Sequence, residues 1–193
     1  MSLVLTPKLR DEYEHLFSTC QVETDKQLIA GKATARVVAG QARYETVSAA
    51  TGVPWFVIGI IHSLEGSSNF KTHLHNGDPL TARTIHVPKG RPITGQPPFT
   101  WEDSAVDALK FDNLAGSTKW SLPSTLFRLE GFNGFGYRTR HPEVLTPYLW
   151  SFSNHYTKGK FTSDGVFDAA AVSKQCGAAV ILKLMTADGT ASF

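Results

Sequence analysis

Apolar residues recur at helical spacing through the first third of the chain, lose that rhythm between Gly66 and Pro98, and recover it afterwards. Thr6 can cap a helix from Pro7 to about Cys20, with Pro7 at its first position. Thr24 can cap a second, long helix. Its apolar residues Leu28, Ile29, Val37, Val38, Tyr44 and Val47 fall at roughly helical intervals, and the pattern ends near Ala50, before Gly52. Pro54 opens a third helix that is apolar nearly all round, the mark of an element buried in the core. From Gly66 to Pro98, Gly, Pro, Asn and Asp accumulate. Thr84-Ile85-His86-Val87 is the best β-compatible stretch there, so a loop-rich lobe with a small sheet is expected. Helix returns over Trp101 to Phe111 behind a Thr100 cap, with Glu102 and Asp103 suited to its first turn. Another runs from Ser121 or Leu122 to about Glu130, where Gly131, Gly134 and Gly136 interrupt it. A polar aromatic stretch, Pro147 to Phe167, carries turn signals at Lys158-Gly159 and Asp164-Gly165. Asp168 is the expected cap of a last helix ending near Met185. The pattern predicts one α+β domain over residues 1–193, mainly helical, with a small β lobe after the apolar helix.

Composition narrows the classes. A chain of 193 residues with 41% hydrophobic content can bury a real core in one domain. A net charge of +2 without a Lys/Arg cluster argues against nucleic acid, although mild basicity suits an anionic surface. No run approaches the roughly 18 apolar residues of a membrane span. The first residues are too few and too soon charged for a secretory signal, so synthesis in the cytoplasm is expected. Cys20 and Cys176 are expected as buried free thiols, and no CxxC or Cys/His metal framework is present.

Glu65 carries the first chemical signal. It ends the apolar helix and is followed by Gly66-Ser67-Ser68. An apolar wall and the negative end of a helix dipole both disfavour the ionised carboxyl, so its pKa is expected to rise, as a general acid in glycoside hydrolysis requires. Such chemistry usually needs a second carboxylate. Asp78, in the turn sequence His75-Asn76-Gly77-Asp78-Pro79, either shapes that turn or faces Glu65 across a cleft. The glycines 131, 134 and 136 permit close backbone approach to a ligand, and Asn133 offers a donor and an acceptor. Phe132, Phe135 and Tyr137 supply flat apolar faces; a helix C-cap with core aromatics is the plainer alternative. Glu130 is a third carboxylate candidate or a surface residue. His73 and His75 with Asp78 have a ligand-like spacing but no evident third strong ligand, and His75 is better placed lining a cleft. A general-acid reading built on Glu65 implies no metal or other cofactor. His62 reads as a core histidine. Tyr148 and Trp150 belong to an aromatic segment that suits a glycan wall or ordinary packing. Lys158 and Lys160 can meet carboxylates of a wall polymer, solvated surface lysines being the safer assignment. Ser67 and Ser68 lack the context of a nucleophile.

The segment Val57 to Ser68 resembles the catalytic-helix segment of goose-type lysozymes and soluble lytic transglycosylases, in which an apolar helix ends in a catalytic glutamate. Leu129-Glu130-Gly131-Phe132-Asn133-Gly134-Phe135-Gly136-Tyr137-Arg138 resembles the transglycosylase pattern Ala-Ala-Tyr-Asn-Ala-Gly-x-Gly-x-Val, and Asp78 matches an aspartate that goose-type lysozymes carry after the glutamate. Two departures stand out. Phe132 replaces a tyrosine, and Thr72 to Asp78 stands where a Gly-Leu-Met-Gln segment is common. The resemblance covers Pro54 to Arg138 and points to a divergent branch, such as a phage endolysin. It implies a lysozyme-like fold and a monomeric muramidase acting on peptidoglycan strands after release or delivery from the cytoplasm. Glu65 would be the acid and Asp78 would hold water, with His75, Phe132, Asn133, Gly134, Tyr137, Tyr148 and Trp150 at the substrate. A lytic transglycosylase, a non-catalytic glycan-binding module and a metal-dependent hydrolase using His73 and His75 remain as alternatives.

Overall fold

The computed structural model describes residues 3–117, 119–163 and 165–193. The architecture is α+β and mainly helical, and the chain divides into two compact units. A middle unit comprises Ala35–Trp120, and a terminal unit joins the chain up to Thr34 with Ser121–Phe193.

The predicted long second helix is instead a short 3-10 turn, Thr24–Lys26, followed by α2 (Gln27–Ala39) and α3 (Gln41–Thr51). The break falls at Gly40, where a Cβ would lie 2.5 Å from the Tyr44 ring. The Tyr44 ring takes that room and is fully buried. Helix α4 (Trp55–Gly66) forms the heart of the middle unit, with Phe56 through His62 and Leu64 buried. Gly59 lets it settle on Val37 and Tyr44, since a Cβ there would come within 2.6 Å of the Val37 side chain. Helix α5 (Trp101–Phe111) starts where predicted, with Thr100 Oγ1 accepting from the Asp103 N–H at 3.1 Å. Arg43 ties α3 to α5 through two hydrogen bonds to Glu102, at 2.6 and 2.9 Å.

His62 is the core histidine expected. Phe70 and Trp101 surround its ring at 4.7 and 4.6 Å, and Tyr44 shares a 3.0 Å hydrogen bond with Nδ1. Burial pushes its pKa down to about 4. The unfolded chain then binds the proton first on acidification. The stability His62 contributes should be full above about pH 6.5 and be lost as pH falls through about 4. Urea midpoints at pH 7 and 4.5 check this. They should drop more steeply for the native chain than for His62→Gln, and parallel profiles would refute it.

The β lobe expected after α4 does not form among the described residues, where only an isolated bridge joins Thr72 and Pro79. Thr84 to Val87 is no strand because the Asp78 carboxylate takes the Ile85 and His86 N–H groups that a ladder would need. Ile85 and Val87 are consequently 66% and 88% exposed.

In the terminal unit, α1 (Pro7–Thr19) packs on α6 (Leu122–Asn133). Thr6 caps α1 through the Leu9 N–H, and Ser121 with Ser124 forms a capping box on α6. Two short helices follow, α7 (Gly136–Arg140) and α8 (Pro147–Trp150). The sheet lies here, as an antiparallel hairpin of β1 (Lys160–Ser163) and β2 (Val166–Asp168) that pairs Phe161 with Phe167. Asp164 of the predicted Asp164-Gly165 turn lies outside the described residues. Asp168 caps no helix. Its Oδ1 accepts from the Ala170 and Ala171 N–H groups, and α9 (Ala178–Ala187) begins later, behind Gly177. Helix α9 is core, packed on α8 with Ala178 to Leu182 and Met185 buried. Cys20 and Cys176 are buried free thiols. No single helix among the described residues is long and apolar enough to cross a membrane.

Candidate functional site

The first cluster lies in the middle unit, at the end of α4. Glu65 is half-buried in the last turn of a helix whose other residues are mostly core. The chain leaves that turn through Ser67 and Ser68, both left-handed, at φ 51° and 58°. Their N–H groups return to the His62 carbonyl and close the helix end. Two consecutive serines in this conformation store strain directly beside Glu65.

The Asn76–Asp78 turn is laid against the same helix end. Gly77 adopts φ +79°, which favours glycine, and a Cβ there would stand 3.5 Å from the Glu65 carbonyl oxygen. The Asn76 side chain accepts from the Asp78 N–H at 3.0 Å, and the Asp78 carbonyl accepts from the His73 N–H at 2.7 Å. The chain thus brings Asp78 back to the Glu65 turn through local hydrogen bonds.

The Asp78 carboxylate also organises the next loop. Oδ2 accepts from the Ile85 and His86 N–H groups at 2.8 and 3.0 Å, and Oδ1 accepts from His86 Nδ1 at 2.6 Å. Burial alone would raise its pKa, but the hydrogen bonds from His86 and Ile85 outweigh that and hold it at about 2. Such a carboxylate stays ionised and is a weak proton acceptor, better suited to orienting water than to deprotonating it. His86, an exposed partner of this carboxylate, has no marker in the sequence beyond its place in an extended stretch.

His75 does not line a cleft. Its side chain is fully buried, and Nε2 donates to Asp107 Oδ2 at 2.9 Å while Arg91 pairs with the same oxygen. Burial lowers its pKa, with the Asp107 hydrogen bond and charge opposing that in part. His73 has both ring nitrogens hydrogen-bonded, to Ser104 Oγ at 2.7 Å and the Ala82 carbonyl at 2.8 Å. No three His, Cys, Asp or Glu side chains among the described residues converge as a metal site.

The second cluster lies in the terminal unit. Asn133, Gly134, Tyr137 and Tyr148 line one cleft of about 400 Å³, together with Phe161 and Gln175. Helix α6 ends at Asn133, α7 supplies Tyr137, α8 supplies Tyr148, and β1 supplies Phe161. The Tyr137 hydroxyl accepts from the Phe161 N–H at 3.1 Å, which fixes the hairpin to α7. Amide groups beside flat aromatic faces suit a sugar carrying N-acetyl groups. Phe132 is half-buried and does not line this cleft. Trp150 is fully buried, so its ring has no face for a sugar and serves the packing of α8. Glu130 is no surface residue: it is 1% exposed and bonded to Tyr13 and Arg138.

No family model, curated protein or solved structure matches this chain.

Proposed function

We propose that this protein is a peptidoglycan-cleaving muramidase with a lysozyme-like fold. Its substrate is the bond between N-acetylmuramic acid and N-acetylglucosamine, met at the cell wall after release or delivery from the cytoplasm. One observation carries the reading: a half-buried glutamate lies in the last turn of a core helix, and the Asp78 turn comes close to its backbone carbonyl. In this reading Glu65 protonates the glycosidic oxygen and Asp78 orients the attacking water, with inversion at the anomeric carbon. The terminal unit by itself carries a cleft of aromatic and amide groups whose chemistry suits N-acetylated sugars.

The engagement of both Asp78 oxygens by Ile85 and His86 favours a second outcome of the same chemistry. With no strong base beside a bound water, the muramyl hydroxyl attacks the anomeric carbon as the glycosidic bond breaks, its proton passes to the Glu65 carboxylate left by the acid step, and an anhydro product forms, as in lytic transglycosylases.

Clearing of permeabilised bacteria by Glu65→Gln tests the assignment. A general acid contributes about a hundredfold or more, so clearing should fall by at least that factor while the fold persists by circular dichroism. Undiminished clearing by the variant rejects Glu65 as the acid, and no clearing by the native chain rejects the muramidase. Mass spectrometry of the digest then separates a hydrated reducing end from a product lighter by one water.

A further inference from the structure

We infer that the terminal-unit cleft binds a carboxylate-bearing ligand through Arg140 and Lys160, namely the acidic stem peptide of a wall glycan. The inference rests on the muramidase reading for the identity of the polymer and on the cleft itself for the charge. Arg140 ends α7 and Lys160 opens β1, and both line the same cleft. Four other cations have an acidic partner among the described residues: Lys26 with Asp25, Arg43 with Glu102, Arg91 with Asp107, and Arg138 with Glu12 and Glu130. Arg140 and Lys160 make no ion pair and no side-chain hydrogen bond among the described residues. Asp168 pairs with Lys160 across the hairpin but turns its carboxylate to the Ala170 and Ala171 N–H groups instead. No described lining residue is acidic. Two like charges lining one concave site, with no acidic group among its described lining residues, make a positive field that an anion relieves.

The chemistry of the polymer selects the anion. In strands that carry stem peptides, the lactyl carboxyl of muramic acid is consumed in an amide bond, so the free carboxylates belong to the peptide. Stripped strands expose the lactyl carboxylate, and N-acetylglucosamine oligomers carry no charge. A cleft with a neutral amide-and-aromatic wall beside two cations that have no acidic partner among the described residues fits the first of these.

Calorimetric titration with three disaccharides tests this: diacetylchitobiose, peptide-free N-acetylglucosaminyl-muramic acid, and the latter bearing a tetrapeptide stem. None contains the bond that the muramidase cuts, so binding is read without turnover. The native chain should prefer the stem-bearing disaccharide over diacetylchitobiose by about fivefold to tenfold at low salt. The preference should shrink at about 0.5 M salt. Arg140→Gln with Lys160→Gln should erase the preference, and the charge-keeping pair Arg140→Lys with Lys160→Arg should retain it. Equal preference in the native chain and the glutamine pair overturns the inference, as does absence of binding to all three. Equal affinity for the peptide-free and stem-bearing forms reassigns the anion to the lactyl group and overturns the stem assignment. Glu65-dependent clearing without the preference rejects this inference alone. The preference without Glu65-dependent clearing rejects the muramidase alone.

Discussion

Glu130→Ala is expected to destabilise the protein by about 3–5 kcal/mol, a large share of the roughly 5–15 kcal/mol that holds a typical domain together. Glu130 is 1% exposed on α6. Its Oε2 accepts from the Tyr13 hydroxyl at 2.7 Å, and its Oε1 pairs with Arg138 Nε at 2.7 Å. Arg138 also donates from Nη1 to Glu12 Oε1 at 2.7 Å. Its guanidinium lies 5.0 Å from the centre of the Tyr13 ring. One carboxylate therefore joins α1, α6 and α7. Burial raises the Tyr13 hydroxyl well above its ordinary pKa, and the neighbouring Glu130 charge adds to this, so the phenol stays a donor. Truncating Glu130 leaves Tyr13 without its acceptor and Arg138 with Glu12 as its remaining anion. The loss exceeds that of one hydrogen bond because a largely buried cation loses one of its two countercharges. Tyr13→Phe removes one hydrogen bond and should cost about 1 kcal/mol. Replacing Glu130 and Arg138 together by leucine should recover much of the loss, since no unpaired charge remains. Urea unfolding of the three variants tests the ordering. A Glu130→Ala midpoint close to that of the native chain would falsify the network's role.

What the sequence discloses and what it hides divide along the range of the forces involved. The Thr6 and Thr100 caps are legible because the side chain bonds a backbone N–H three residues away. The turn at Asn76-Gly77-Asp78 is legible for the same reason, and so is the buried character of α4. The break at Gly40 is not: glycine is tolerated inside a helix, and only the arrival of the Tyr44 ring makes a side chain impossible there. The sheet is misplaced because Thr84 to Val87 has strand-like composition, while the N–H groups of Ile85 and His86 are claimed by a carboxylate several residues earlier. Asp168 has the chemistry of a helix cap and uses it on a turn, with the helix starting after eight more coil and bend residues and Gly177. Site residues follow the same rule. Asn133, Gly134, Tyr137 and Tyr148 gather in one cleft because a glycine-rich motif ends a helix close to a hairpin. Trp150 and His75 have the same residue chemistry as site residues, yet packing decides that they are interior. No local spacing carries that information, because burial is settled by elements distant in sequence.

Gly177→Ala is expected to cost about 3 kcal/mol, at the upper end of the ordinary range for overpacking. Gly177 precedes α9 at φ −71° and ψ 150°, a conformation that any residue adopts. Glycine is required there by space alone. A Cβ would fall inside the van der Waals radius of the Leu149 carbonyl and 2.9 Å from the Ser151 N. The neighbours are backbone atoms, so no rotamer change relieves the clash. The Gly177 N–H also donates to the Ser151 carbonyl at 3.0 Å, so moving the strand of chain away breaks a bond that holds α9 to α8. Gly189 supplies the contrast. Its φ is +79° with nothing within 4 Å, so alanine there pays only the left-handed backbone cost of about 1–2 kcal/mol. Thermal unfolding of the two variants separates the causes. For a chain of this size about 3 kcal/mol corresponds to a fall of roughly 6–12 °C in Tm, against about half that for Gly189→Ala. If Gly177→Ala melts with or above Gly189→Ala, then the α8–α9 junction has room to give, and the close approach of Leu149 to Gly177 is not what fixes it.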